Sequence, residues 1–277
     1  MSPPARPPTP PADPLAAPSP ADEPGSSPSA PPGTLHDGAP SAGVTVVTGA
    51  SGTVGGAARA LIGGAHLVIG RHRPPGLREP DLFVRADLAH GRGIRSACRA
   101  MARLGAGGRP VRGLLLSAGV DDRTPADGLA TASWEPCLRV NAIAPLRLTA
   151  EAARYPRNGP VLPVVVVSSD VVTTPQPGTV VYGASKAALE NGMRHAATEL
   201  PIAVLLLRLP DIGVLMGGRA RARPAEPAPV LNVALRAARH HLDAPPPHAG
   251  VQVWEPPPSA AHPDAPDRAG GLPPCPN

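Results

Sequence analysis

Seven short runs of Val, Ile and Leu that do not alternate with polar residues limit the possible folds of this chain more than any other feature. They are Val44 to Thr48, His66 to Gly70, Leu82 to Arg85, Arg112 to Ser117, Pro163 to Ser168, Ile202 to Arg208 and Gly250 to Trp254. A strand with one wet face alternates apolar and polar residues, whereas a strand covered on both faces reads as continuous apolar sequence. Segments long enough for helices separate the runs: Val54 to Ile62, Ile94 to Leu104, Trp134 to Arg154, Tyr182 to Leu200 and Leu231 to Leu242. Alternating strands and helices make βαβ units with right-handed crossovers. The expected fold is therefore α/β, a doubly wound parallel sheet of about seven strands.

Composition sets the limits of that unit. A length of 277 residues would suggest two domains at ~150 residues each. Proline reduces the estimate: of 42 prolines, 14 fall in the first 40 residues and eight lie between Pro256 and Pro276. Such ends hold too little apolar surface to offset the entropy of ordering. Residues 1–42 and 256–277 are expected to be disordered tails, with one globular domain over 43–255.

The apolar runs are far shorter than the ~20 residues of a membrane helix, and no secretory signal pattern opens the chain. Cys98, Cys137 and Cys275 are odd in number and widely spaced. They suggest neither a disulfide framework nor a zinc site, and a cytoplasmic location fits. The net charge of +5 comes from 25 arginines and one lysine scattered along the chain, with only five aromatic residues. Nucleic-acid surfaces cluster basic residues and add stacking aromatics, so neither nucleic acid nor membrane is expected as a partner. His66, His72, His195, His240 and His241 lack metal-binding spacing and are read as surface residues; no metal is expected.

The first run leads directly into Thr48-Gly49-Ala50-Ser51-Gly52-Thr53-Val54-Gly55. Glycines between a buried strand and a helix start provide a tight turn, close backbone approach to a pyrophosphate and close helix–strand packing. The helix N-terminus adds open N–H groups and a positive dipole end. Gly49, Ser51, Gly52, Thr53, Val54 and Gly55 are thus candidate dinucleotide-binding residues. The second run ends Gly70-Arg71-His72-Arg73, with no acid before Glu79. An acid there would bond the ribose hydroxyls of NAD, whereas arginine matches the 2′-phosphate of NADP. Arg71 and Arg73 favour NADP, with NAD the weaker candidate.

Tyr182-Gly183-Ala184-Ser185-Lys186 is the sharpest signal. With two tyrosines and one lysine in the chain, chance sets them four apart roughly once in 140 such sequences. On a helix this spacing puts phenol and ammonium on one face, ~5–6 Å apart at Cβ. A nearby ammonium is expected to lower the phenol pKa from its usual ~10 and make Tyr182 a general acid.

These motifs together resemble those of the short-chain dehydrogenase/reductase family, in its compact single-domain, Rossmann-type form, over essentially Val44 to Trp254. The resemblance extends to further positions. Asp87-Leu88 is similar to the family's contact with the adenine ring. Ser117-Ala118-Gly119 resembles its Asn-Ala-Gly, with serine in place of asparagine. Asn141 resembles the asparagine that holds a proton-relay water. Ser169, thirteen residues before Tyr182, resembles the serine that orients the substrate carbonyl. Tyr182, Lys186, Pro210 and Ile212 join the implied cofactor-binding set. The implied activity is NADP(H)-dependent interconversion of a carbonyl and a secondary alcohol on a small molecule. The family's usual association implies a homodimer or homotetramer.

Three departures accompany the match. The glycines are spaced Gly-x-x-Gly-x-x-Gly, nearer to the extended branch of sugar-nucleotide epimerases and dehydratases. That branch needs a substrate domain, however, and only 91 residues follow Lys186. The first helix is a turn short and rich in glycine, so it should be short and soft. After the sixth run, Leu209-Pro210-Asp211-Ile212-Gly213-Val214-Leu215-Met216 lacks the family's threonine that anchors the nicotinamide. A non-catalytic dinucleotide-binding module is therefore the alternative from another class.

Overall fold

A computed structural model describes residues 43–155, 159–210, 212 and 229–256. The two expected tails, apart from Pro256, lie outside these residues, as do Asp211 and 213–228, which include most of the segment that lacks the family's threonine.

The seven expected strands form, each within about two residues of its apolar run. They are β1 (Val44–Thr48), β2 (Ala65–Gly70), β3 (Leu82–Arg85), β4 (Val111–Leu116), β5 (Leu162–Ser169), β6 (Ile202–Leu209) and β7 (Gly250–Trp254). They make one sheet in the order β3-β2-β1-β4-β5-β6-β7, and every neighbouring pair is parallel. The helices are α1 (Thr53–Leu61), α2 (Gly91–Ala106), α3 (Thr131–Leu138), α4 (Ala144–Ala152), α5 (Val180–Glu199) and α6 (Pro229–Asp243).

Two cores explain why the strands do not alternate. Val44, Val46, Leu114, Val164, Val166, Val204 and Leu206 pack on one face with Met101, Leu148, Leu189 and Met193 of α2, α4 and α5. Val47, Leu115, Val165, Leu205 and Leu207 pack on the other with Ala58 of α1 and Leu231, Ala234 and Leu235 of α6. Successive side chains point to opposite faces, and both faces are dry. Strand order reverses between β1 and β4, and at such a switch point ligands bind beyond the carboxyl ends of the strands.

The expected helix over Trp134 to Arg154 is in fact three pieces. Between α3 and α4 the chain makes a π-turn over Arg139–Ile143. Pro145, at the start of α4, has no N–H to offer the carbonyl of Asn141 four residues earlier, so a regular ladder cannot run through. Helix α1 has nine residues, short as its glycines imply. Among the described residues, no helix is long and apolar enough to cross a membrane.

Two histidines expected at the surface are buried. His66 is 5% exposed, its Nδ1 2.8 Å from Asp81 Oδ1 and its Nε2 3.1 Å from the Ile62 carbonyl. His241 is 4% exposed, with Nε2 2.9 Å from the carbonyl of Ala203 in β6. Polar partners inside the sheet margins satisfy these rings, and no metal spacing would have revealed them. Burial holds the His241 pKa below the ordinary 6.5, so the fold favours the neutral ring. Below that pH the unfolded chain binds the proton first, and stability contributed by neutral His241 is lost as pH falls. The wild type should therefore lose more stability than His241→Gln between pH 7 and pH 5, as read from urea melts. Parallel pH dependence in the two proteins would contradict this.

Candidate active site

At the end of β1, Gly49 takes a left-handed conformation with φ +72°. A Cβ there would lie 2.6 Å from the Ala118 nitrogen and 2.7 Å from the Ser117 carbonyl carbon, so the loop after β4 leaves room for glycine alone. The Ala118 N–H donates to Thr48 Oγ1 at 3.1 Å and locks the two loops together. A Cβ on Gly55 would meet the Gly49 carbonyl oxygen at 2.3 Å, which seats α1 directly on the turn. Gly52 caps α1 without a side-chain bond, no acid occupies the first turn, and Ser51, Gly52 and Thr53 are exposed. This cradle, with open amides at a helix N-terminus, fits the pyrophosphate of a dinucleotide.

The remaining implied cofactor residues surround the same sheet edge. Leu88 is buried after β3, and Asp87 accepts from the Ala89 N–H at 3.0 Å while lying 3.3 Å from His90 Nδ1. Arg71 and Arg73 are exposed beyond β2; Arg73 reaches the Leu77 carbonyl at 3.5 Å, and Arg71 makes no ion pair among the described residues. Ser117, Ala118 and Gly119 follow β4, and Pro210 and Ile212 follow β6, with Ile212 packed on the second core.

Ser169, Tyr182 and Lys186 come together between the end of β5 and the start of α5. Tyr182 is 6% and Lys186 3% exposed. The Ser169 hydroxyl donates to Asp170 Oδ1 at 3.1 Å, accepts from the Val171 N–H at 3.3 Å and acts on the Tyr182 phenol beside it. Lys186 Nζ donates to the Val167 carbonyl at 2.8 Å and lies 5.7 Å from the centre of the Tyr182 ring. Burial brings the Lys186 ammonium down to about 8, opposed first by the carboxylate of Glu190.

The expected lowering of the Tyr182 pKa does not hold here. Burial pushes the phenol above its usual value and outweighs the opposing effect of the Ser169 hydroxyl, while Asp121 adds to the rise. The ammonium is committed to a backbone carbonyl, and desolvation penalises phenolate more than that charge favours it.

Asn141 is fully buried and its amide is in full use. Oδ1 accepts from the Val120 N–H at 2.9 Å; Nδ2 donates to the Val120 carbonyl at 2.8 Å and to Ser185 Oγ at 2.9 Å. Ser185 donates in turn to the Tyr182 carbonyl at 2.7 Å. Its side chain is thus a brace.

Sequence reasoning passed over Ser168, Glu190 and Arg208. Glu190 Oε1 accepts from Ser168 Oγ at 2.7 Å and from Arg208 Nε at 2.8 Å. The Lys-x-x-x-Glu spacing of Lys186 and Glu190 places both on one helix face, and it was the available signal.

Residues 43–204 match the family model for short chain dehydrogenase. Over 168 residues the chain is 31% identical to the short chain dehydrogenase ausX of Emericella nidulans, covering 57% of this chain and 76% of that protein. Landomycin C-6 ketoreductase LanV, solved with bound NADP and rabelomycin, has a TM-score of 0.58 at 23% identity, over 76% of this chain and 94% of that one. 4-Hydroxyisoleucine dehydrogenase, solved with NADH and succinate, has a TM-score of 0.53 at 20% identity, over 60% of this chain and 75% of that one. At these identities the solved structures speak for the fold alone. The family model and the sequence relative go further: this chain belongs to the short-chain dehydrogenase family, NAD(P)-binding oxidoreductases that act on CH–OH and C=O groups.

Proposed function

We propose that this protein is an NADP(H)-dependent oxidoreductase that interconverts a carbonyl and a secondary alcohol, with Tyr182 as general acid and base. The observation that carries this is the buried Ser169–Tyr182–Lys186 cluster beside the glycine cradle. A pure nucleotide binder has no use for a serine hydroxyl, a buried phenol and a buried ammonium gathered at one point.

When bound, the nicotinamide supplies a hydride to the carbonyl carbon. The Ser169 hydroxyl donates to the carbonyl oxygen and holds it at the phenol. Tyr182 then gives its proton to the oxygen as negative charge develops there. A phenol held protonated by burial is suited to donate in this direction, and the Lys186 ammonium, 5.7 Å from the ring centre, favours the phenolate left behind. Lys186 also has donors for the nicotinamide ribose. Asn141 braces the helix that carries Tyr182, and its backbone carbonyl is the place for a relay water. Gly49, Ser51, Gly52, Thr53, Val54 and Gly55 take the pyrophosphate. Asp87, Leu88, Ser117, Ala118 and Gly119 line the adenosine side, and Pro210 and Ile212 the nicotinamide side. A cytoplasmic location and a homodimer or homotetramer belong to the same proposal.

NADP is favoured over NAD by Arg71, which is exposed and has no ion-pair partner among the described residues, and by the absence of an acid before Glu79. A charge-assisted pair to the 2′-phosphate contributes ~1.5–3 kcal/mol, roughly 10- to 100-fold. NADPH should bind more tightly than NADH, and Arg71→Asp should erase or reverse that order. Titration of both nucleotides by protein fluorescence reads it, and equal wild-type affinities would contradict the assignment.

Tyr182→Phe removes one oxygen and leaves the phosphate cradle intact. Carbonyl reduction should fall by roughly 10²- to 10⁴-fold with little change in NADPH affinity. Lys186→Met should lose activity and weaken nucleotide binding as well. Steady-state rates on ketones, quinones and β-ketoacyl thioesters, paired with nucleotide titrations, separate the outcomes. Tight NADPH binding with no turnover of any carbonyl would favour a non-catalytic nucleotide-binding module.

A further inference from the structure

A fully buried carboxylate needs a reason beyond stability, because apolar residues of similar volume often replace buried ion pairs without loss. Glu190 is such a group, 0% exposed and one helical turn beyond Lys186 on α5. Four donors converge on it. Ser168 Oγ at 2.7 Å and Arg208 Nε at 2.8 Å reach Oε1, and Arg208 Nη2 at 2.6 Å and Arg194 Nη2 at 3.1 Å reach Oε2. Arg208 also pairs with Glu255, just past β7.

The placement of Ser168 gives this cluster its meaning. In the β5–β6 register Ser168 stands opposite Arg208. Along β5 it stands between Val167, whose carbonyl receives Lys186, and Ser169, whose hydroxyl acts on the Tyr182 phenol. Glu190 therefore grips the one residue that separates the two anchors of the site.

We propose that Glu190, held by Arg208, is a positioning residue for the lysine–tyrosine pair: it pins β5 at Ser168 and balances the charge that Lys186 experiences. This rests on the proposed role of Lys186 as the ammonium of a reductase site. The charged and titratable groups around Lys186 come from several elements. Tyr182 and Glu190 lie on α5, Cys137 on α3 and Asp121 in the loop after β4. Behind Glu190 stand Arg194 on α5, Arg208 on β6 and Glu255 after β7, and Asp170 follows Ser169.

Burial brings the ammonium down to about 8 even with Glu190 pulling the other way. Removing the Glu190 charge acts twice in one direction. Its attraction disappears, and the two guanidinium groups it neutralised are left facing the ammonium. Removing Arg208 acts oppositely, because Glu190 is then less compensated. A purely structural clamp would not move the lysine in opposite directions.

Lys186 is the sole lysine among 277 residues. Full-length protein labelled with ¹³Cε-lysine thus gives one side-chain NMR signal whose pH titration reads the ammonium without any need for turnover. Relative to the wild type, Glu190→Gln should lower the midpoint by about one pH unit. Arg208→Gln should raise it, and Arg194→Gln, which removes a guanidinium that is 43% exposed, should raise it less. If Glu190→Gln fails to fold, the two arginine variants decide. Unmoved midpoints, or a midpoint that moves against its predicted sign, would overturn the proposal. The alkaline limb of NADPH-dependent reduction should follow the same order. The predicted order in a protein without turnover would uphold the role of Glu190 and remove the reductase assignment. An active enzyme whose lysine does not respond would do the reverse.

Discussion

One buried amide holds the site together. Asn141 bonds both the N–H and the carbonyl of Val120 and donates to Ser185 on α5. Val120 follows the loop that presses on Gly49 and shapes the nucleotide cradle, and Ser185 sits between Tyr182 and Lys186. The two halves of the site are therefore tied through a single side chain. Losing it would leave the half-buried Val120 N–H without its partner and its carbonyl with only a weak bond from Cys137 Sγ at 3.8 Å. The π-turn that presents Asn141 carries the same constraint in the backbone, because Pro145 forbids a regular helix there.

The sheet explains why these groups meet at all. Its central strands are apolar on both faces, so the only polar ground near the switch point lies beyond their carboxyl ends. Gly49, Ser117, Ser169 and Pro210 all stand at or just past strand ends on that side. The dry surroundings have a cost. Lys186 and Tyr182 are buried, and desolvation works against the charged form of each. Glu190 offsets part of that cost for the lysine and is itself held charged by Arg208 and Arg194 and by a hydrogen bond from Ser168. The fold keeps a charged pair in its interior through a chain of compensating partners that reaches as far as Glu255.

Much of this was legible in the residues, for definite physical reasons. Continuous apolar runs located all seven strands, because burial on both faces removes alternation. The glycine at 49 was readable because a left-handed turn against another loop admits nothing else. Other features depended on tertiary contacts. The break in the helix over Trp134 to Arg154 was signalled by Pro145, but its purpose, seating Asn141 on Val120, came only from the tertiary contact. His66 and His241 carry no local sign of their partners, which come from Asp81 and Ala203, distant in sequence. The direction of the Tyr182 shift was misjudged because spacing shows a neighbouring charge but not the loss of water. Glu190 was overlooked for a similar reason: its partner Arg208 comes from a strand 18 residues away.

The central claim is that this site moves a hydride between a nicotinamide and a carbonyl carbon while Tyr182 supplies the proton. Isotope transfer tests it most directly. NADPH carrying deuterium at C4, supplied separately as each of the two stereoisomers, would be incubated with the full-length protein and a reducible ketone. The alcohol product would then be examined by mass spectrometry and NMR. The account predicts deuterium on the carbinol carbon from one stereoisomer only, in step with NADP⁺ formed, and loss of both signals in Tyr182→Phe. NADPH oxidation without label in the alcohol, or label transfer that persists undiminished in Tyr182→Phe, would contradict it.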